Sequence, residues 1–261
     1  MNILDKIVLD KRREVDLKKS IVPVSQLETY ALFKRPTVSL VNRLRNSSTG
    51  IIAEYKRRSP SRSVINQANS VDQVAKGYES AGASGMSVLT DGKYFGGSLD
   101  DLLLARASVD IPLIRKEFIV DEYQILEAKA YGADVILLIA AILTREEIKT
   151  FSELAQSLSL NVLLEVHDEA ELHKSIMPGI DLLGVNNRNL KTFEVSLDIS
   201  KTLSTIIPDE FVKVSESGIS SIDAINELRP YGYQGFLIGE NFMKTGDPGA
   251  SASQFIEQLG A

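Results

Sequence analysis

The chain has 261 residues, 44% of them apolar and 25% charged, with 29 Lys and Arg against 35 Asp and Glu for a formal net charge of −6. That length suits one α/β barrel with a sizeable core, and the acidic balance excludes a general basic footprint for nucleic acid. Cysteine is absent, which excludes disulfides, thiolate metal sites and a cysteine nucleophile; no apolar run approaches the roughly 18 residues of a membrane span and MNILDKIVLDKRREVDLKK lacks a signal-peptide core, so no membrane association and a cytoplasmic location are expected.

Leu4, Ile7 and Val8 recur at helical spacing within a strongly charged stretch, and a second helical pattern runs from Ser25 through Leu27 and Leu32. Residues 1–47 therefore read as an N-terminal helical extension. From Ile51 onward short apolar runs alternate with amphipathic segments: IIAEY, GMSVLT, IPLIRK, DVILLI, NVLLEV, LLGVN, FVKVSES and GFLIG, about eight strands. The spacing predicts helices over 71–81, 121–131, 145–158 and 220–228. Asp72, Glu146 and Asp223 fall in first turns, where negative charge suits the helix dipole, and Gly82 and Gly132 stop the first two helices.

Nearly continuous apolar strands, each followed by a helix, imply a parallel sheet covered on its outer face. Eight such units close a (β/α)8 TIM barrel. No low-complexity linker divides the chain, so 1–261 reads as one domain of α/β class. An open doubly wound sheet is the alternative, but no Gly-rich dinucleotide fingerprint follows the first strand.

In such a barrel the active site forms at the C-terminal strand ends. Glu54 and Lys56 lie two apart at the end of the first strand, on one face of it. Lys116 follows the third strand, Glu165 lies in the fifth, Asn186 and Arg188 follow the sixth, and Glu216 and Ser217 follow the seventh. The charges sit mainly on odd-numbered strands, and alternate strands supply each layer of side chains, so these residues are expected to converge at one level. Singly, each is readable as a solvated rim charge; five at corresponding positions are not. Lys213 lies mid-strand, and alternation alone leaves open whether it or Glu216 faces inward. Gly218, after the seventh strand, and Gly239, after the eighth, lie in turns whose backbone N–H groups suit a phosphate. His167 and His173 lie six apart, off one helical face, so no metal site is expected and His173 reads as surface.

The runs IIAEYKRRSPS, SVLTDGKYFGGS, PLIRKEFIVDEYQI, ILLIAAIL, LLEVHDEAEL, LLGVNNRNLKTFEV, VSESGI and FLIGENFMKTGDPG resemble, in order and spacing, the motifs of indole-3-glycerol-phosphate synthases, decarboxylating lyases of tryptophan biosynthesis. The resemblance spans nearly the whole chain. It implies ring closure, decarboxylation and dehydration of 1-(2-carboxyphenylamino)-1-deoxyribulose 5-phosphate to indole-3-glycerol phosphate. By the same resemblance Lys116 is similar to the family's general acid and Glu165 to its proton-transfer partner, with Lys56 a second candidate for that part. Lys56 also matches a position that pairs with the substrate's anionic groups, and Glu54, Asn186 and Glu216 match polar residues around the substrate. Arg188 matches a holder of the anthranilate carboxylate. Phe95, Phe118 and Leu190 match the apolar walls, and Ser59, Ser217, Gly218, Gly239 and the N–H of Glu240 match the phosphate site.

The resemblance implies no metal or organic cofactor, because the iminium-like ring-closed intermediate itself accepts the electrons released on decarboxylation. The implied partner is a phosphorylated small molecule, with association with other tryptophan-pathway enzymes a further expectation. Two positions depart from the family pattern. Arg62-Ser63 stands where Lys-Gly is common, narrowing backbone freedom in a loop expected to cover the substrate, and Glu240 stands where Ser is common, a carboxylate that would repel phosphate unless it turns away. Rival readings are another phosphate-binding barrel such as phosphoribosylanthranilate isomerase, where a cysteine base is expected, a Schiff-base aldolase, or an inactive binding subunit.

Overall fold

The structure, a computed structural model, describes residues 3–189 and 192–260. Three helices precede the first strand: α1 (Ile3–Ile21), α2 (Val24–Leu27) and α3 (Leu40–Arg45). The first half of the barrel follows as β1 (Ile51–Tyr55), α4 (Val71–Ser80), β2 (Gly85–Leu89), α5 (Gly92–Phe95), α6 (Leu99–Ser108), β3 (Leu113–Lys116), α7 (Glu122–Ala130) and β4 (Val135–Ile139). The second half comprises α8 (Arg145–Ser157), β5 (Asn161–Val166), α9 (Glu169–Ser175), β6 (Leu182–Asn186), α10 (Asp198–Ser204), β7 (Val212–Glu216), α11 (Ile222–Leu228), β8 (Tyr233–Ile238), α12 (Glu240–Met243) and α13 (Pro248–Gly260). All neighbouring strands are parallel, and pairing of β1 with β8 closes the barrel. Among the described residues no helix is long and apolar enough to cross a membrane.

Strand alternation splits the core in two. Ile52, Ile114, Leu163 and Val214 fill the inside of the barrel, while Ala53, Val88, Leu138 and Leu164 face the helical shell. Leu40 and Leu44 of α3 join the inner cluster and seal its lower end, where Gly85 leaves room for them: a Cβ there would lie 2.8 Å from Leu40 Cδ1. Helix starts follow local chemistry. Thr144 and Glu147 form a capping box on α8, and Ser98, Asp121 and Asp168 cap α6, α7 and α9.

The helical pattern expected from Ser25 through Leu32 is a single turn, α2. Leu27 is buried among Val15, Tyr123 and Ala130, and the chain then proceeds through successive tight turns, Tyr30 N–H to Leu27 O and Phe33 N–H to Tyr30 O. These keep Tyr30 edge-on to Tyr131 at 5.6 Å, a contact a continued helix would carry past.

Helix α1 is tied to the barrel by a buried cation. Lys11, 2% exposed, places Nζ 2.8 Å from Glu14 Oε2, 3.0 Å from Asp91 Oδ1 and 3.1 Å from Glu117 Oε1. Burial works against its charge, but Glu117, Asp91 and Glu14 outweigh it and raise its pKa above the lysine value. Asp91 accepts from the N–H groups of Tyr94 and Phe95, and Glu117 from that of Phe118, so one ammonium braces both aromatic loops. Lys11→Met should destabilise the fold by about 3 kcal/mol, since Asp91 stays buried without its cation and Glu117 keeps only the Arg115 cation, at 3.8 Å; urea unfolding at pH 7 measures it.

Candidate functional site

Above the apolar inner layer, the next inward positions of the odd strands are charged: Glu54 on β1, Lys116 on β3, Glu165 on β5 and Glu216 on β7. Lys116 Nζ lies 2.5 Å from Glu216 Oε2, 3.7 Å from Glu54 Oε2 and 3.8 Å from Glu165 Oε2. Lys56, one inward position beyond Glu54, sets Nζ 2.6 Å from Glu54 Oε1. The ambiguity on β7 resolves by parity: Val212, Val214 and Glu216 point inward, while Lys213 donates to Ser204 O on the helical side.

The three carboxylates are buried and set against one ammonium. Burial alone would discharge Lys116, but Glu216, Glu54 and Glu165 outweigh it and hold its pKa above the lysine value. Burial raises Glu54 as well, yet Lys56 and Lys116 together bring it below the usual carboxylate value. Glu216 goes the other way: burial, aided by Glu165 and Glu54 and opposed by Lys116, pushes it up to about 7.

Glycines on even strands make room for this layer. A Cβ on Gly184 of β6 would lie 2.5 Å from Glu216 Oε1, and one on Gly239, just after β8, 2.5 Å from Glu54 Oε1. Gly239 thus has a packing duty besides its place in the turn. Gly184 was not among the expected site residues, although a glycine inside an apolar strand is the signal of close approach.

The cluster floors a cavity of about 370 Å³. Phe95 and Phe118 form one wall, ring centroids 5.9 Å apart, and Leu137, Ile139 and Leu237 line the deeper part. Ile3, Leu4 and Ile7 of α1 line it too, so the extension builds part of the site, where sequence reading marked only its helical spacing. Phe193 also lines the cavity, while Leu190 lies outside the described residues. Asn186 and Arg188 stand on the β6 side. Asn186 Oδ1 accepts from Arg188 N–H at 3.0 Å, and Arg188 Nη1 rests 3.3 Å from Phe193 O.

Ser59, Ser217, Gly218, Gly239 and Glu240 share the opposite rim with Ser220, Asn241 and Lys244, which sequence reading did not single out. Ser217 and Gly218 have φ of 65° and 79°. A left-handed serine is costly, and buried Asn187 holds it: its Nδ2 donates to Ser215 Oγ, Glu216 O and Ser217 O, and its Oδ1 accepts from Ser200 N–H and Oγ–H. The loop after β1 folds back on itself, with Ser59 and Arg62 exchanging backbone hydrogen bonds at 2.8 and 3.0 Å. The two positions that depart from the family pattern meet here, because Arg62 Nη1 pairs with Glu240 Oε1. His173 is exposed and paired with Glu169, whereas His167 is partly buried beside Glu165.

The family model for indole-3-glycerol phosphate synthase matches residues 4–255. The indole-3-glycerol phosphate synthase of Bacteroides thetaiotaomicron is 46% identical over 258 residues, covering 99% of both chains. That of Laribacter hongkongensis is 41% identical over 260 residues, 98% of this chain and 99% of its own. Among solved structures, thiamine phosphate pyrophosphorylase from Pyrococcus furiosus superimposes with a TM-score of 0.61 at 17% identity, over 85% of this chain and 99% of that one, a likeness of fold alone.

The raised pKa of Glu216 has a thermodynamic sign. Between the ordinary value of 4.5 and about 7 the folded state binds a proton that the unfolded state releases, so this group lowers stability as pH rises through that window. Glu216→Gln should therefore raise the melting temperature at pH 8 and change it little at pH 5, as thermal unfolding across pH will measure.

Proposed function

Because the chain belongs to the indole-3-glycerol phosphate synthase family, we propose the following division of labour at its barrel mouth. The enzyme closes the indole ring of 1-(2-carboxyphenylamino)-1-deoxyribulose 5-phosphate and releases carbon dioxide and water, as a lyase of tryptophan biosynthesis. The observation that carries the assignment of roles is Lys116, held among three carboxylates at the floor of a cavity with an aromatic wall.

The substrate's aromatic ring packs between Phe95, Phe118 and the apolar residues of α1. Arg188 leaves Phe193 O and takes the ring carboxylate through its two-pronged donor set. The phosphate lies at the far rim on the backbone N–H groups of Gly218, Gly239 and Glu240, with Ser59, Ser217 and Lys56 around it. Glu240 contributes its N–H, since its side chain is occupied by Arg62. Anchoring both ends presses the carboxylate-bearing ring carbon toward the ribulose carbonyl above Lys116.

As that carbon attacks, the carbonyl oxygen gains charge and the Lys116 ammonium donates to it. An ammonium whose pKa is raised matches an alkoxide, a strong base that forms only as the ring closes. The ring nitrogen becomes iminium-like, and the C–CO2 bond breaks with its electron pair restoring aromaticity, so the substrate is its own electron sink. Dehydration follows: the new hydroxyl leaves as water on receiving a proton and the neighbouring methylene gives one up. Glu165 serves this exchange, with Lys56 the second candidate, while Glu54, Asn186 and Glu216 orient the hydroxyls and the lysines. A cytoplasmic location and association with other enzymes of the pathway accompany this reading, on the family's metabolism alone.

The direct test is to incubate the protein with the carboxyphenylamino-deoxyribulose phosphate and follow indole fluorescence. Product should accumulate with wild-type protein, and Lys116→Ala should lower turnover by about two to four orders of magnitude. Loss of only a few-fold would move the general acid elsewhere.

A further inference from the structure

The reaction consumes a proton that its substrate does not carry. Oxygen takes up two protons, one at the carbonyl and one at the departing hydroxyl, while carbon gives back one from the methylene. Since the substrate enters as a carboxylate and leaves as carbon dioxide, the site must supply the difference in each turnover.

Beside Glu165, outside the cavity lining, lies a partly buried imidazole. His167 Nε2 is 3.3 Å from Glu165 Oε1 and otherwise unpartnered, at an angle short of a hydrogen bond. Its Nδ1 is 3.1 Å from Glu171 Oε2, which also accepts the His167 backbone N–H at 2.8 Å, so the first turn of α9 fixes the ring. Asp168 in turn accepts the Glu171 N–H at 2.8 Å. Glu165 lines the cavity and His167 does not. The His167 side chain is 11% exposed and that of Glu171 17%, so the pair retains contact with solvent.

We propose that His167 is the proton store of the dehydration step, acting through Glu165 and held in place by Glu171. The imidazolium gives its Nε2 proton to Glu165 Oε1, Glu165 passes a proton to the departing hydroxyl, and the neutral ring takes up a replacement from solvent between turnovers. One N–H bond breaks and one O–H bond forms, with no other reactant. His167 touches no substrate and is a positioning and proton-supplying residue. The inference rests on Glu165 being the proton-transfer partner in dehydration.

The surroundings favour the charged form of the ring. Burial would lower its pKa, but the hydrogen bond to Glu171 and the charges of Glu165, Glu171 and Glu216 outweigh burial and raise it above 6.5. The groups facing it are thus Glu165 on β5, Glu171 on α9 and Glu216 on β7, with Lys116 of β3 beyond Glu165 at 3.8 Å.

The experiment measures turnover against pH for wild type, His167→Gln, Glu171→Gln and Glu165→Gln, each first checked by thermal unfolding. Wild-type kcat should fall on the alkaline side as the ring loses its proton. His167→Gln should lower kcat by about tenfold to a hundredfold, less than the full worth of a direct general acid, with KM changed less than about twofold and the alkaline limb abolished. Glu171→Gln keeps the ring and should shift that limb to lower pH, which preserves the test if the histidine variant folds poorly. A limb retained in His167→Gln, or unmoved in Glu171→Gln, overturns the proposal. Glu165→Gln separates the two readings. Near wild-type turnover there removes Glu165 from the chemistry, whereas its loss alongside an unaffected His167→Gln leaves Glu165 in place and removes the relay.

Discussion

The Lys116 ammonium among Glu216, Glu54 and Glu165 is the interaction on which the rest of the site depends. One cation against three buried carboxylates within 2.5 to 3.8 Å is an arrangement water would screen and the barrel interior does not. It exists because β1, β3, β5 and β7 present inward residues at a common height, a property of the closed barrel and its stagger. The excess of negative charge has consequences around it. Glu216 is driven toward neutrality, Glu54 recruits Lys56, and Glu165 draws in His167 from behind.

Holding such a cluster open demands support elsewhere. Glycines at 184 and 239 give the carboxylates space that any side chain would take. On the β7 side the Asn187 side chain bonds to Ser215 and Glu216 of β7, to Ser217 O beyond it and to Ser200 of α10, and so keeps Ser217 in a left-handed conformation. On the aromatic side Lys11 reaches from α1 to the residues that set Phe95 and Phe118. The N-terminal extension therefore belongs to the candidate site in two ways, as a cavity wall through Ile3, Leu4 and Ile7 and as a brace through Lys11.

Much of this was legible along the chain, for identifiable reasons. Strand alternation marked Glu54 and Lys56 as sharing a face, and the odd-strand spacing of Lys116, Glu165 and Glu216 pointed to one level. Helix limits at α4 and α7 came within two residues, with a glycine stop after each and the Asp121 side chain capping α7. The pattern read from Ser25 through Leu27 and Leu32 misled because local spacing does not separate a helix from the run of tight turns that follows Leu27. His167 was weighed only as a metal ligand with His173 and set aside on spacing, whereas its partners are Glu165 at the strand end and Glu171 one turn along α9.

By itself the sequence determined the barrel, its apolar inner and outer faces and the set of polar residues at the strand ends, because periodicity and order along the chain are local properties. Only the tertiary structure decided that Lys116 lies nearest Glu216, that Glu216 and not Lys213 turns inward, that Arg62 neutralises Glu240, and that α1 closes over the aromatic wall. Those outcomes depend on register, stagger and loop closure between segments up to about 180 residues apart, 178 for Arg62 and Glu240, and no local pattern carries such distances.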